Sequence, residues 1–190
     1  PFLQANWPTN VPLQLINAQP ATDDDLLLIN TPDYITFTSK YYCAAYRGSV
    51  QNKWETRFTT YHSRDNHPRQ NPGNLEYAAR TIVGQAKEGI DLLLQRNMKP
   101  IISIGGGMHH AKPNYGEGFC LYNDVAFAAR YVLNKYDITR IAIVDTDAHA
   151  GNGTMEYFTD ESDVLLIGFP QDPVTLYPGT DFINQIGTGS

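Results

Sequence analysis

The chain has 190 residues, 42% of them hydrophobic, enough for one domain with a sizeable core. Its 20 acidic and 14 basic residues give a net charge of −6 with no Lys/Arg-rich run, which argues against nucleic acid or an anionic membrane surface as the main partner. Two cysteines, Cys43 and Cys120, are too few for a disulfide framework, no stretch approaches the roughly 20 apolar residues of a membrane span, and no signal-peptide pattern opens the chain, so a reducing, cytoplasmic setting is expected.

Residues 1–73 are rich in Pro, Asn, Asp and Tyr and lack sustained periodicity. Within them LQANWP and VPLQLI read as short ordered segments, and TPDYITFTSKY as a helix behind a Thr31-Pro32 start. YRGSVQNKWETRFTTYHSRDNHPRQNPG reads as a long irregular excursion, with His62 and His67 as solvated or turn residues. Tyr41, Tyr42, Tyr46, Trp54 and Tyr61 are expected at a rim or interface.

Residues 74–190 read as an α/β core within a single domain spanning 1–190. Asn74 caps a helix whose stripe is Leu75, Ala79, Ile82, Val83, Ala86, Ile90, Leu93 and Leu94. PIISI (100–104) predicts a buried strand, and VAFAARYVLNKY a second helix capped by Asn123 or Asp124. RIAIVD predicts a strand, GTMEYF a helical turn and DVLLIGF a third strand. Helices alternating with β-branched runs predict a mostly parallel sheet.

Three of the five histidines, His109, His110 and His149, fall within 41 residues. GGGMHHA follows the first strand and DTDAHAGNG the second, and ligands of open parallel sheets bind beyond the carboxyl ends of strands. In extended backbone, Asp147 and His149 point the same way, so a carboxylate and an imidazole can grip one cation of catalytic-zinc type. Asp145, two residues earlier, is placed to orient an imidazole, and Gly151 and Gly153 let the chain turn sharply. On spacing alone, a solvated loop after a strand stands about level with the metal site.

GGGMHHA, GFCLYND and VDTDAHAGNGTMEYF together resemble the histone deacetylase family of metal-dependent amidohydrolases, which includes acetylpolyamine amidohydrolases and acetoin-utilisation proteins. The resemblance covers roughly residues 65–190, including LYPGTDFINQIGTG, and three ordered motifs are far more specific than one. It implies the arginase/deacetylase fold, three layers with helices on both faces of a mostly parallel sheet, here incomplete at both ends.

The resemblance further implies that Asp147 and His149 are two of three ligands of one catalytic Zn2+. His109 and His110 match tandem histidines facing the attacking water, His109 paired with Asp145 and His110 with Asn152. Asn152 stands where one branch of the family has aspartate. Gly118 and Phe119 match the lining of a narrow tunnel for an acylated lysine or amine. Backbone carbonyls near Asp145, Asp147 and His149 match a site for a monovalent cation such as K+. The family's third metal ligand and its carbonyl-polarising tyrosine lie farther along than the 41 residues that follow His149 here. The sequence is therefore expected to be part of a longer domain, stable alone only by self-association into a homo-oligomer.

The implied reaction is hydrolysis of an N-acyl amide, with His110 as general base and then acid and His109 as a held positive charge. An inactive binding or assembly module on the same scaffold is the alternative, against which every metal-site position in this range keeps a competent residue. A dinuclear manganese hydrolase of arginase type would need more bridging carboxylates than DTDAHAGNG supplies.

Overall fold

The computed structural model describes residues 8–10, 13–69, 73–96, 100–182 and 187. LQANWP and the first two residues of VPLQLI lie almost wholly outside these residues, as does much of the end of LYPGTDFINQIGTG; 13–16 form neither helix nor strand.

Chain order is α1 (Asp23–Leu26), α2 (Pro32–Tyr46), α3 (Asn52–Glu55), α4 (Phe58–Tyr61), a 3-10 turn (Arg64–Asn66), α5 (Leu75–Gln95), α6 (Asp124–Lys135), β1 (Ile141–Asp145), α7 (Asn152–Phe158) and β2 (Val164–Gly168). Helix α2 starts where Thr31-Pro32 predicts, Pro32 needing no amide partner in a first turn. The Asn74 side chain caps α5 by accepting from the Tyr77 amide. The α5 stripe differs from expectation at its ends: Leu75 is exposed near the start, and Leu92, outside the expected stripe, is buried near the end.

Strands β1 and β2 pair in parallel, Ile141 opposite Val164 through Asp145 opposite Gly168, with α7 between them in sequence. Ile141 and Ile143 pack on the core formed by α2, α5 and α6, while Val144, Leu165 and Ile167 on the other face are exposed. The expected strand 100–104 is not one. It has no ladder partner among the described residues, and Ile102 and Ile104 are 69% and 62% exposed. It keeps a strand's alternation even so: Ile101 lies against Gly89 and Ser103 bonds Gln85 at 3.0 Å, both on α5.

The excursion after α2 also departs from expectation, since it holds α3, α4 and the 3-10 turn and completes the aromatic core. Tyr41 and Tyr42 are buried rather than at a rim, Tyr42 donating to the Asn66 carbonyl at 2.6 Å. Trp54 and Tyr61 pack on Phe37, and only Tyr46 of that aromatic set is exposed.

His62 is fully buried, not solvated. Its Nε2 meets the Thr38 hydroxyl at 2.9 Å, and the rings of Tyr34, Phe37, Tyr42 and Phe58 surround it. Burial pushes its pKa down to about 3. An unfolded imidazole takes up its proton near pH 6.5, so between these values the unfolded chain binds more protons. The contribution is complete above pH 6.5 and is lost as pH falls toward 3. We expect a loss of about 2 kcal/mol between pH 7 and pH 5, at about 1.4 kcal/mol per pH unit. Urea denaturation at the two pH values checks this, and His62→Gln should flatten the dependence; an unchanged slope would assign the acid sensitivity elsewhere.

Candidate active site

Two loops meet beyond the carboxyl end of β1. The first, 105–111, is held by Asp124 at the start of α6, whose carboxylate accepts from the amides of Gly107 at 3.0 Å and Met108 at 2.7 Å. Burial raises the Asp124 pKa against the lowering effect of these amides. Its neighbour Asn123 caps α6 by accepting from the Ala126 amide at 2.8 Å. The same side chain donates to the Ala111 carbonyl and the Thr154 hydroxyl, both at 3.1 Å, so the cap also ties α6 to both loops.

The second loop runs from β1 into α7. It approaches the first so closely that a Cβ on Gly153 would lie 2.5 Å from the Ala111 oxygen and 2.6 Å from the His109 oxygen. No side chain fits between two backbones at that distance. Gly153→Ala is expected to destabilise the protein by about 1–3 kcal/mol, the usual cost of overpacking. Because the clash is with the histidine loop, thermal melting and histidine NMR spectra should change together. An alanine variant with the parent melting temperature would refute the close approach.

The contact places each predicted site residue. His109 Nδ1 lies 2.7 Å from Asp145 Oδ2, and His110 Nδ1 lies 2.7 Å from Asn152 Oδ1. The two rings are 4.1 Å apart, with the His149 ring 5.9 Å beyond His110. Asp145 Oδ1 accepts from the Asp147 amide at 3.0 Å, and Asp147 Oδ1 in turn accepts from the His149 amide at 2.7 Å. Asp147 Oδ1 and His149 Nδ1 face each other at 2.9 Å. Gly118 lies flat against the His110 ring with no room for a side chain, and Phe119 beside it is 76% exposed. Phe119 also borders a cavity of about 510 Å³ lined by Met108, Leu121, Tyr42 and Ala79.

The two histidines differ electrostatically. Burial opposes a charge on His109, but the hydrogen bond and charge of Asp145, helped by Asp147 and Asp124, win and raise its pKa. Burial also lowers the His110 pKa, and there the neutral Asn152 cannot reverse it while His109 and His149 add to the lowering. The pair therefore favours one protonated and one neutral imidazole.

Asp147 Oδ1 and His149 Nδ1 lie 2.9 Å apart, bringing together one carboxylate and one imidazole, donor types suited to zinc. Among the described residues no group of three or more His, Cys, Asp or Glu side chains is gathered for a metal, so these two are a partial set.

Three further residues belong to this centre. Tyr177, within LYPGTDFINQIGTG, has its ring 5.1 Å from that of His110. Glu117 accepts from the Asn152 amide nitrogen, and Lys112 lies 3.0 Å from the same Glu117 oxygen. The charged residues Lys112 and Glu117, the only ones between HHA and GFC, are the signal for these two in the sequence. Cys120 is buried, and burial pushes its thiol up to about 11.

The chain matches the histone deacetylase domain over residues 3–190. It belongs to the histone deacetylase family. Over 176 residues it is 33% identical to the acetoin utilization protein AcuC of Staphylococcus aureus strain MSSA476, covering 93% of this chain and 43% of that one. Over 115 residues it is 35% identical to AcuC of Bacillus subtilis strain 168, covering 60% and 30%. An HDAC homolog from Aquifex aeolicus superposes with a TM-score of 0.76 at 29% identity, over 92% of this chain and 45% of the other. An HDAC homolog complexed with SAHA gives 0.77 at 29% identity, with the same coverage. The chain thus spans less than half the length of these relatives. Its α/β fold with a parallel sheet is the fold of the histone deacetylase family, as the resemblance implied.

No helix among the described residues is long and apolar enough to cross a membrane.

Proposed function

We propose that the full-length protein is a zinc-dependent amidohydrolase that removes acyl groups from lysine side chains or related amines. The observation that carries this is the unequal partnering of two adjacent imidazoles, His109 on the Asp145 carboxylate and His110 on the Asn152 amide oxygen.

Hydrolysing an amide requires a base for the attacking water, an acid for the leaving amine and positive charge for the oxyanion. His110, bonded through Nδ1 to an acceptor, has Nε2 left to take a proton from water and return it to the amine. His109, held toward its protonated form by Asp145, brings positive charge 4.1 Å from the His110 ring. Asp147 and His149 would hold a zinc ion with a ligand from elsewhere in the full-length protein. Zinc bound there would supply Lewis acidity toward the substrate carbonyl and the attacking water. Gly118 and Tyr177 lie against the His110 ring and, with the exposed Phe119 next to Gly118 in sequence, would receive the acyl-bearing chain. Family membership and a structural neighbour complexed with SAHA support an acylated substrate.

Zinc-loaded full-length protein assayed on acyl-lysine peptides and acylpolyamines tests the proposal. Release of free amine on at least one class is expected. No turnover on either by a zinc-replete, folded protein would overturn it.

A further inference from the structure

Asn152 is the weak point of the arrangement just described. An aspartate in its place would present only acceptor oxygens to His110, whichever way it turned. An asparagine has an oxygen and an NH2 of nearly equal size, and only one of its two orientations suits a base. With the oxygen toward His110, Nδ1 carries the proton and Nε2 is bare. With the NH2 toward His110, Nδ1 must accept, the proton moves to Nε2, and the base is blocked.

The neighbourhood removes this ambiguity. Glu117 Oε1 takes the Asn152 NH2, and a carboxylate can only accept, so Asn152 is left with its oxygen for His110 at 2.7 Å. Glu117 is itself held, its oxygen lying 3.0 Å from Lys112 Nζ, which also reaches Glu156 at 3.6 Å. The Glu117 side chain is only 16% exposed, so water is poorly placed to substitute for it. Glu117 touches none of the reacting atoms and acts through Asn152.

Resting on the amidohydrolase reading above, we infer that Glu117 is a positioning residue: by accepting from the Asn152 amide it fixes the Asn152 oxygen on His110 and so sets the tautomer that leaves Nε2 free to take a proton. Lys112 and Glu156 hold Glu117 at its post. Where the resemblance implies an aspartate beside this histidine in one branch of the family, the carboxylate here stands one residue farther out.

The test uses the full-length protein labelled with 15N-histidine, and the variants Glu117→Leu, Glu117→Gln and Asn152→Asp. In Glu117→Leu the His110 nitrogen signals should shift from the Nδ1–H tautomer toward a mixture. Turnover should fall on the order of tenfold with KM nearly unchanged, a usual scale for partners that orient functional histidines. Glu117→Gln keeps an acceptor oxygen and should retain the parent tautomer and most of kcat. Glu117→Leu placed on Asn152→Asp should cost almost nothing, since no amide is left to orient. If the leucine variant melts early, Glu117→Ser repeats the test without added bulk. A parent-like tautomer and kcat in both the leucine and serine variants would overturn the inference, as would an equal loss in the Asn152→Asp background. The NMR readout needs no substrate: a tautomer shift without acyl hydrolysis by any variant or the parent would sustain the positioning role and overturn the amidohydrolase reading alone.

Discussion

Replacing His110 by alanine in the full-length protein is expected to cut turnover of acylated amines by about 10²–10⁴-fold, the usual value of a general acid–base group. The substitution removes the ring whose Nδ1 rests on the neutral Asn152 oxygen, and with it the group proposed to move the proton. Zinc content should stay at that of the parent, because His110 is not among the donor atoms that face each other at 2.9 Å. Steady-state kinetics and metal analysis of one preparation check both halves. A variant with near-normal kcat on an acetyl-lysine peptide would place the base elsewhere.

Asp147→Ala should do the reverse, taking metal first and activity with it. Asp147 Oδ1 accepts from both the amide and the ring of His149, so alanine removes a ligand and also frees the second ligand to swing. His149, 43% exposed at its side chain, has no other hydrogen-bond partner of its ring among the described residues to hold it in place. A catalytic zinc usually has three protein ligands, so one remaining fixed ligand is too few. Metal analysis after dialysis should fall from about one zinc per chain to near none. Unchanged occupancy would remove Asp147 from the ligand set.

The site was more legible in the sequence than the sheet was. His109 and His110 lie in a glycine-flanked loop after an apolar run, and Asp145, Asp147, His149 and Asn152 run from the end of β1 to the start of α7, where the carboxyl end of a parallel strand places them at one edge. Helices α2, α5 and α6 carried their own start signals in Thr31-Pro32, Asn74 and Asn123, each acting within three residues. The short apolar run 100–104 predicts a buried strand, but a strand also needs a neighbour for its amides, and apolar composition does not show whether one is present. His62 was misread for a related reason: nothing near it in sequence reveals that α2 and α4 enclose it. Helices α3 and α4, four residues each, are too short to display a helical period.

The double duty of Asn123 sets how this protein gains its chemistry during folding. One amide group starts α6 by accepting through its oxygen and, by donating through its nitrogen, fastens the Ala111 carbonyl of the histidine loop and Thr154 of α7. Docking of that helix and ordering of the histidine loop are therefore expected to be coupled, each favouring the other. Fraying at the amino end of α6, seen as faster amide exchange at Ala126, would be felt at His109 and His110 within the same opening event.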